Sequence, residues 1–160
     1  MFRLNRLTDY AVVVMTQMSR KPEEVHTAPQ IASDTGIPLP TVAKLLNALA
    51  RDALVQSHRG AAGGYTLGRP AEQVSVAQII QAMEGPIALT ACVEGSGNHC
   101  EVECSCPLRG NWDRVNQAIH DALSEVTLAD MAASCWSMFD LVDKPAVPAG
   151  RVDERDLRRA

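Results

Sequence analysis

Apolar residues recur at helical spacing in the first part of the chain. One face of a helix over about residues 9–20 would be apolar, so we expect a helix there. Either Thr8 or Asp9 is expected to cap its first turn. The residues of the apolar face are Ala11, Val12, Met15 and Met18.

A short second helix is predicted to follow Thr27. Thr27 has a side chain suited to a helix cap, and Pro29 falls in the first turn, where a missing N–H costs little. Gly36 is expected to end this helix, because glycine readily adopts the left-handed conformation found after many helices. Ile31 and Ala32 would face inward.

A third helix is predicted from near Pro40 to about Ala53, after a stiff turn containing Pro38. A short helix, a tight turn with glycine and a longer helix form the helix-turn-helix arrangement. The N-terminal residues of its second helix, here including Thr41 and Lys44, would enter the major groove of DNA. The buried stripe of this helix is expected to be Val42, Leu45, Leu46 and Leu49.

A β-hairpin is predicted after the third helix. Residues 54–58 and 65–67 are strand-like, and the glycine-rich residues 59–64 form the turn. A hairpin in this place is a wing, and Arg59 at its tip could enter a narrow minor groove. The alternative is an ordinary three-helix bundle followed by a hairpin without a DNA-binding role.

The second half begins with a fourth helix, Val76–Met83, capped by Ser75 and stopped at Gly85. After a loop, apolar residues recur at spacings of three and four, which predicts a long helix packed on a partner helix. The partner would be a second subunit or the helix's own domain; we expect a dimer. The residues of this seam are Leu108, Trp112, Val115, Ile119, Ala122 and Val126, widened by Leu123.

These patterns predict a mainly α fold with a small β-wing. A winged helix-turn-helix domain would occupy residues 1–84, a loop residues 85–107, and a dimerisation helix region residues 108–141. Residues 142–160 contain proline, glycine and charge with little apolar content, so we expect a disordered tail. Cys135, just before the tail, is expected to be a small buried or neutral residue.

Charge and hydropathy narrow the functional class. Residues 1–70 carry eight Lys or Arg against five Asp or Glu (+3), and residues 71–160 carry seven against fourteen (−7). Such asymmetry points to nucleic acid as a partner of the first half. No apolar run approaches the ~20 residues that span a bilayer, and no signal-peptide cleavage site follows the start. We therefore expect a cytoplasmic protein without a membrane partner.

Four of the five cysteines fall within residues 92–106, here called the cysteine segment. Their order is Cys92, Cys100, Cys104 and Cys106. Structural zinc sites favour pairs two to four residues apart, whereas iron–sulfur clusters accept varied spacings and need a wrapping loop. An iron–sulfur cluster, zinc and thiol redox chemistry all stay open. A thiol-dependent enzyme would need a low-pKa cysteine beside a base, and His99 is the one hint of that; we expect no enzyme.

Several stretches together resemble a known family. They are LTDYAVVVM, IPLPTVAKLLNALARDALVQSHRGAAGGYTLGRP, SVAQIIQAMEGPIALT and CPLRGNW, which span roughly residues 2–130. The chain resembles winged-helix regulators of the IscR and NsrR type, and within them the subgroup associated with the SUF iron–sulfur assembly operon. The resemblance implies a homodimer that binds a palindromic operator on double-stranded DNA and carries a [2Fe–2S] or [4Fe–4S] cluster.

The resemblance also assigns cluster ligands. The family's last cysteine lies six residues before a tryptophan, which matches Cys106 and Trp112; the middle ligand is then Cys100 and the first Cys92. The fourth ligand in NsrR-type relatives is a carboxylate near the partner subunit's N-terminus, and Asp9 occupies that place. Helix capping is the competing role for Asp9.

Two positions depart from the family pattern. Arg109 stands where IscR has a ligating histidine and cannot bind a metal. Cys104 is a surplus thiol that could be a substitute ligand, a repair ligand or a bystander, and we favour the bystander interpretation. The gap between Cys92 and Cys100 is also two residues longer than in IscR.

DNA contacts carry over to the recognition helix and the wing. Ala43 replaces a glutamate that IscR uses, so a different operator preference is expected. The functional expectation is a cluster-sensing regulator, most simply a repressor, of iron–sulfur assembly genes; the alternative is a zinc-stabilised or thiol-redox winged-helix regulator without a cluster. The residues assigned to DNA are Thr41, Lys44, His58, Arg59 and Tyr65.

Overall fold

The structure is a computed structural model that describes residues 4–91, 93 and 110–139. These residues form six α-helices and one two-stranded antiparallel sheet, which confirms the mainly α fold with a small β-hairpin. A 3-10 turn, Ala71–Gln73, lies between the hairpin and the fourth helix. The elements are α1 (Arg6–Ser19), α2 (Ala28–Thr35), α3 (Leu39–Arg51), β1 (Val55–His58), β2 (Gly64–Leu67), α4 (Val76–Glu84), α5 (Asn111–Glu125) and α6 (Leu128–Phe139).

Helix α1 begins earlier than its apolar pattern predicts. Its cap is Asn5, whose side-chain oxygen accepts a hydrogen bond from the Leu7 N–H at 2.9 Å. The prediction of Thr8 or Asp9 as the cap is therefore wrong. Thr8 is fully buried within the first turn, where its hydroxyl bonds to Glu84, and Asp9 is exposed.

Helices α2 and α3 form the predicted helix-turn-helix. The Thr27 side chain accepts from the Gln30 N–H, and Gly36 ends α2 in the left-handed region at φ 71°. Helix α3 starts at Leu39, one residue before the predicted start. Its four predicted core residues, Val42, Leu45, Leu46 and Leu49, are fully buried.

One hydrophobic core joins these helices to the hairpin and to α6. Burial of this apolar surface is the main stabilising contribution, about 25 cal/mol per Å². The largest fully buried side chains are Met15, Met18, Ile31, Leu45, Leu46, Leu49, Leu54, Ile79 and Leu128.

The hairpin is tied to the helical body through its second strand. Strand β1 pairs with β2 in the register Val55 to Leu67 and His58 to Gly64. On its other edge Tyr65 exchanges two backbone hydrogen bonds with His26, both at 2.8 Å. A Cβ on Gly64 would lie 2.6 Å from the His26 carbonyl oxygen, so only glycine permits this close approach.

The predicted continuous seam is interrupted at Val126. The Val76 N–H donates to the Val126 carbonyl at 2.9 Å, and the Leu128 N–H donates to the Val74 carbonyl at 2.7 Å. These long-range bonds hold the chain extended between α5 and α6, so a single helix through Val126 is wrong.

Helix α6 then starts anew at a cap formed by two side chains. The Asp130 carboxylate accepts from the Thr127 hydroxyl and N–H, at 2.6 and 2.9 Å, and the Asp130 N–H donates back to the Thr127 hydroxyl. The Thr127 side-chain hydrogen bond, and then its backbone hydrogen bond, lower the pKa of Asp130. The reciprocal pair fixes the start of α6 independently of α5.

Candidate nucleic-acid interface and cysteine segment

Helix α3 presents an exposed, mainly polar stripe on the side away from the core. Because its buried residues share one face, positions offset by half a turn point outward. Pro40, Lys44, Asn47 and Arg51 follow one another at spacings of four, three and four, and all are exposed. Thr41, the other residue predicted to meet DNA here, is half-buried beside this stripe.

Helix α3 exposes further residues that the sequence does not assign to DNA, among them Asn47 and Leu39. Asn47 lies one turn after Lys44, and its amide carries the donor and acceptor that match the major-groove edge of adenine. Leu39, at the first helical position, is 44% exposed and offers an apolar contact of the kind that thymine methyl groups accept. The sequence signal for Asn47 is the outward stripe, counted from the buried one, and Leu39 lies next to its first member, Pro40.

The wing carries Arg59 at its tip. Arg59 directly follows β1 and is exposed. The turn is tight: a Cβ on Gly63 would lie 2.5 Å from the His58 carbonyl oxygen, and Gly60 has φ 113°. Both glycines are therefore required by the backbone, which projects the guanidinium away from the core.

His58 and Tyr65 are held by contacts within the protein. The His58 ring, on the exposed face of β1, hydrogen-bonds the Thr66 hydroxyl across the hairpin at 2.9 Å. Tyr65 is half-buried and packs against the core. These contacts orient the wing, and the predicted DNA contacts of both residues stay predictions.

Asp9 occupies the outward face of α1. No hydrogen bond or ion pair to its carboxylate occurs among the described residues, and its own N–H bonds to the Asn5 carbonyl within the first turn. Val13, one turn further along, is 41% exposed. An exposed carboxylate that has no bond within the described part of the chain thus lies beside an exposed apolar side chain.

Residues 84–89, here called the linker, are held to the body at both ends. Glu84 accepts hydrogen bonds from the Asn5 N–H at 2.8 Å and from the Thr8 hydroxyl at 2.5 Å. At the other end, the side chain of Asn116 in α5 bonds to the backbone of Ile87 and Leu89. The linker therefore connects the first turn of α1 with α5 immediately before the cysteine segment.

The apolar seam of α5 divides into two parts. Ile119 and Leu123 are half-buried and pack against a small cluster made by α4 and Ile87. Val115 and Trp112, one and two turns nearer the helix start than Ile119, are 45% and 37% exposed. Part of the seam thus serves its own domain, and the remainder faces outward.

A family model for iron-dependent transcriptional regulators, named Rrf2, matches residues 4–134. The chain belongs to the Rrf2 family. It is also 32% identical over 131 residues to an HTH-type transcriptional regulator of Mycobacterium tuberculosis, with 81% of each chain covered. Members of this group are DNA-binding transcriptional regulators rather than enzymes, which confirms the expected class.

Solved Rrf2-type structures share the fold. The global cysteine regulator CymR of B. subtilis is 26% identical, with a TM-score of 0.66 over 84% of this chain and 98% of that one. IscR of T. potens is 27% identical, with a TM-score of 0.61 over 84% and 88%. An oxidized form of Staphylococcus aureus CymR is 26% identical, with a TM-score of 0.59 over 82% and 96%. The winged-helix resemblance to the IscR type is therefore confirmed.

The predicted site residues of this Rrf2 chain fall into two groups. Those assigned to DNA lie on α3 and the wing, and Asp9 lies on α1. The proposed ligands Cys92, Cys100 and Cys106 lie outside the described residues, as do Cys104, Arg109, residues 140–160 and the side chain of Cys135. Within residues 4–91, 93 and 110–139, no three His, Cys, Asp or Glu side chains are placed to hold a metal ion. No helix in the described part of the chain combines the length and apolar character needed to cross a bilayer.

Proposed function

We propose that this Rrf2 protein is a homodimeric repressor of iron–sulfur cluster assembly genes that senses iron or redox state through a bound cluster. The observation that carries the proposal is the crowding of four cysteines into residues 92–106, between α4 and α5, in a chain of an iron-dependent regulator family. Cys92, Cys100 and Cys106 are the proposed thiolate ligands, since thiolates are the usual ligands of such clusters.

Asp9 of the partner subunit is the proposed fourth ligand. The residue is suited to this role because Asn5 caps α1 and the Asp9 carboxylate is exposed and unbonded among the described residues. A carboxylate oxygen is a harder and more labile ligand for iron than a thiolate. A cluster held this way would supply an oxidation-sensitive centre that is readily lost.

The outward part of the α5 seam supports the dimer. Trp112 and Val115 present large apolar side chains to solvent on a helix whose other large apolar residues, Ile119 and Leu123, pack against α4 and Ile87. Pairing of two α5 helices would cover them. A twofold dimer would present two α3 helices to successive major grooves and so favour a palindromic operator.

Regulation requires that the cluster-loaded and cluster-free forms bind the operator unequally. A ten-fold difference in affinity corresponds to about 1.4 kcal/mol. The linker and α5 are the described elements next to the cysteine segment, so a change in that segment would act first on them and then on the relative placement of the two α3 helices.

Anaerobic purification tests the proposal directly. We expect a coloured protein that contains iron and acid-labile sulfide and whose operator affinity changes when the cluster is removed. A colourless protein that contains zinc would contradict it and establish the zinc-stabilised alternative.

A thiol-based regulator without a cluster is the second candidate. It is favoured by the similarity to an oxidized form of S. aureus CymR and to a regulator described as a global cysteine regulator. It predicts a metal-free protein whose operator affinity changes on treatment with a mild oxidant and recovers with a thiol reductant. Metal analysis of the active DNA-binding form separates the two candidates.

A further inference from the structure

The side chain of Asn116 pairs with the backbone of the linker as a neighbouring strand would. Its amide nitrogen donates to the Ile87 carbonyl at 2.8 Å, and its amide oxygen accepts from the Leu89 N–H at 3.1 Å. Asn116 lies in the middle of α5 and is half-buried. One side chain thus satisfies a donor and an acceptor on the same stretch of backbone.

Only a primary amide of this length makes both bonds. A carboxylate in its place has no hydrogen to donate to Ile87, and an aliphatic side chain makes neither bond. Because the contact is part-buried, water replaces the lost partners poorly. The position therefore selects for an amide that fixes the linker against α5.

The linker cannot shift along α5 without breaking this pair. Ile87 is buried against the same cluster that receives Ile119 and Leu123, which adds apolar contact to the two hydrogen bonds. Glu84 holds the other end of the linker to α1. Cys92 follows Leu89 by three residues.

We propose that Asn116 is a positioning residue that couples the cysteine segment to α5. This inference rests on the proposed cluster-sensing function and assigns the contact through which a change at Cys92 reaches α5. Displacement of the linker then moves α5 with it, and loss of the amide lets the linker move alone. Since coupling between two binding equilibria is reciprocal, the same amide lets operator DNA alter cluster retention.

The test compares operator affinity of the cluster-loaded and cluster-free forms of the full-length protein. The ratio of interest is the dissociation constant of the weaker-binding form divided by that of the tighter-binding form. Asn116→Ala is expected to retain visible absorption and iron content, while this ratio falls by about 5-fold, the scale of two modest hydrogen bonds. Asn116→Asp keeps the volume and one acceptor, and its ratio is expected to fall as well. Gln117→Ala is the matched control and should keep the wild-type ratio, because the side chain of Gln117 is exposed and donates to Asp121 within α5 rather than to the linker.

The outcomes separate this inference from the proposed function. A wild-type ratio of one would refute cluster-dependent regulation and the coupling role together. A wild-type ratio above one that persists in Asn116→Ala and Asn116→Asp would refute the role of Asn116 alone. Hydrogen exchange at the Leu89 amide serves as a second measurement. It should accelerate in Asn116→Ala relative to Gln117→Ala, whereas the carboxylate of Asn116→Asp can still accept from that amide. Unchanged protection in Asn116→Ala would overturn the proposed contact.

Discussion

The carboxylate of Glu84 accepts a hydrogen bond from the buried hydroxyl of Thr8, 76 residues earlier in the chain. The bond joins the last residue of α4 to the first turn of α1. The same carboxylate accepts a hydrogen bond from the Asn5 N–H. Its negative charge therefore lies at the positive, N-terminal end of the α1 dipole, where it is stabilising. Glu84 therefore fixes the helix that carries Asp9 to the start of the linker.

Removing Glu84 should destabilise the protein more than removing the Thr8 hydroxyl. Glu84→Ala leaves a buried hydroxyl without its partner, which costs about 1–3 kcal/mol. Thr8→Val removes the hydroxyl and leaves the exposed carboxylate free to bind water, so a smaller loss is expected. Urea unfolding of the metal-free protein measures both.

Glu84→Gln provides the control, because its amide oxygen still accepts both hydrogen bonds. The free energy of unfolding of Glu84→Gln should lie between those of the wild type and Glu84→Ala. Equal stability of Glu84→Ala and wild type would show that Thr8 finds another partner and that the contact does not hold α1.

Arg59→Ala is expected to weaken operator binding and leave the visible spectrum intact. Arg59 projects from the wing tip, where it would meet the negative potential of a minor groove. Loss of one such contact costs about 1–3 kcal/mol. Fluorescence anisotropy with labelled operator DNA measures the change.

Arg59→Lys separates charge from shape in that contact. It keeps the positive charge, so the salt dependence of binding should stay close to wild type while part of the affinity is lost. If Arg59→Ala binds operator DNA with wild-type affinity, the wing does not contribute to the DNA interface.

Val115→Asp is expected to dissociate the proposed dimer. Val115 is the most exposed large apolar residue of α5, and a carboxylate there would be desolvated between two helices. Sedimentation velocity should show a monomer. Circular dichroism should show unchanged helix content, because Ile119 and Leu123 keep α5 packed on α4.

Gln117→Asp introduces the same charge on the opposite side of α5, where the side chain is exposed. It should remain dimeric. A Val115→Asp protein that sediments as wild type would place the dimer contact elsewhere.

Cys100→Ala and Cys104→Ala should differ in colour. The ligand assignment predicts that the first variant loses the visible absorption of an anaerobic preparation, since three thiolates are needed, whereas the second keeps it. Both substitutions remove one thiol from the same segment, so each controls for the other. The reverse result would show that Cys104 is the ligand and that the assignment is out of register.

The parts of the fold that depend on local order were predictable from the sequence. The buried stripe of α3 follows the helical period, and Ser75 with Gln78 forms a complete capping box at α4. The caps of α2 and α4 and the hairpin follow from turn and cap chemistry within a few residues.

The errors arose where distant residues decide the local structure. Thr8 has a side chain suited to a helix cap, but its hydroxyl donates to the Glu84 carboxylate instead. Asn5 caps α1 by accepting from the Leu7 N–H. Val126 continues the apolar period of α5, yet backbone bonds to residues 74–76 hold it extended. A DNA contact from Asn47 is a prediction that follows from its exposure on α3 and not from the resemblance to IscR.

The two backbone hydrogen bonds between Tyr65 and His26 join the wing to the helix-turn-helix, so that the two form one structural unit. The hydrogen bonds of Tyr65 to His26 and the close approach at Gly64 restrict movement of the hairpin against the helices. We therefore expect the placement of Arg59 relative to Lys44 to change little. In the proposed dimer, regulation would then change the spacing between the two DNA-binding halves rather than the shape of either one. Engineering a different response would therefore begin at α5, and engineering a different target at α3, with little interference between the two.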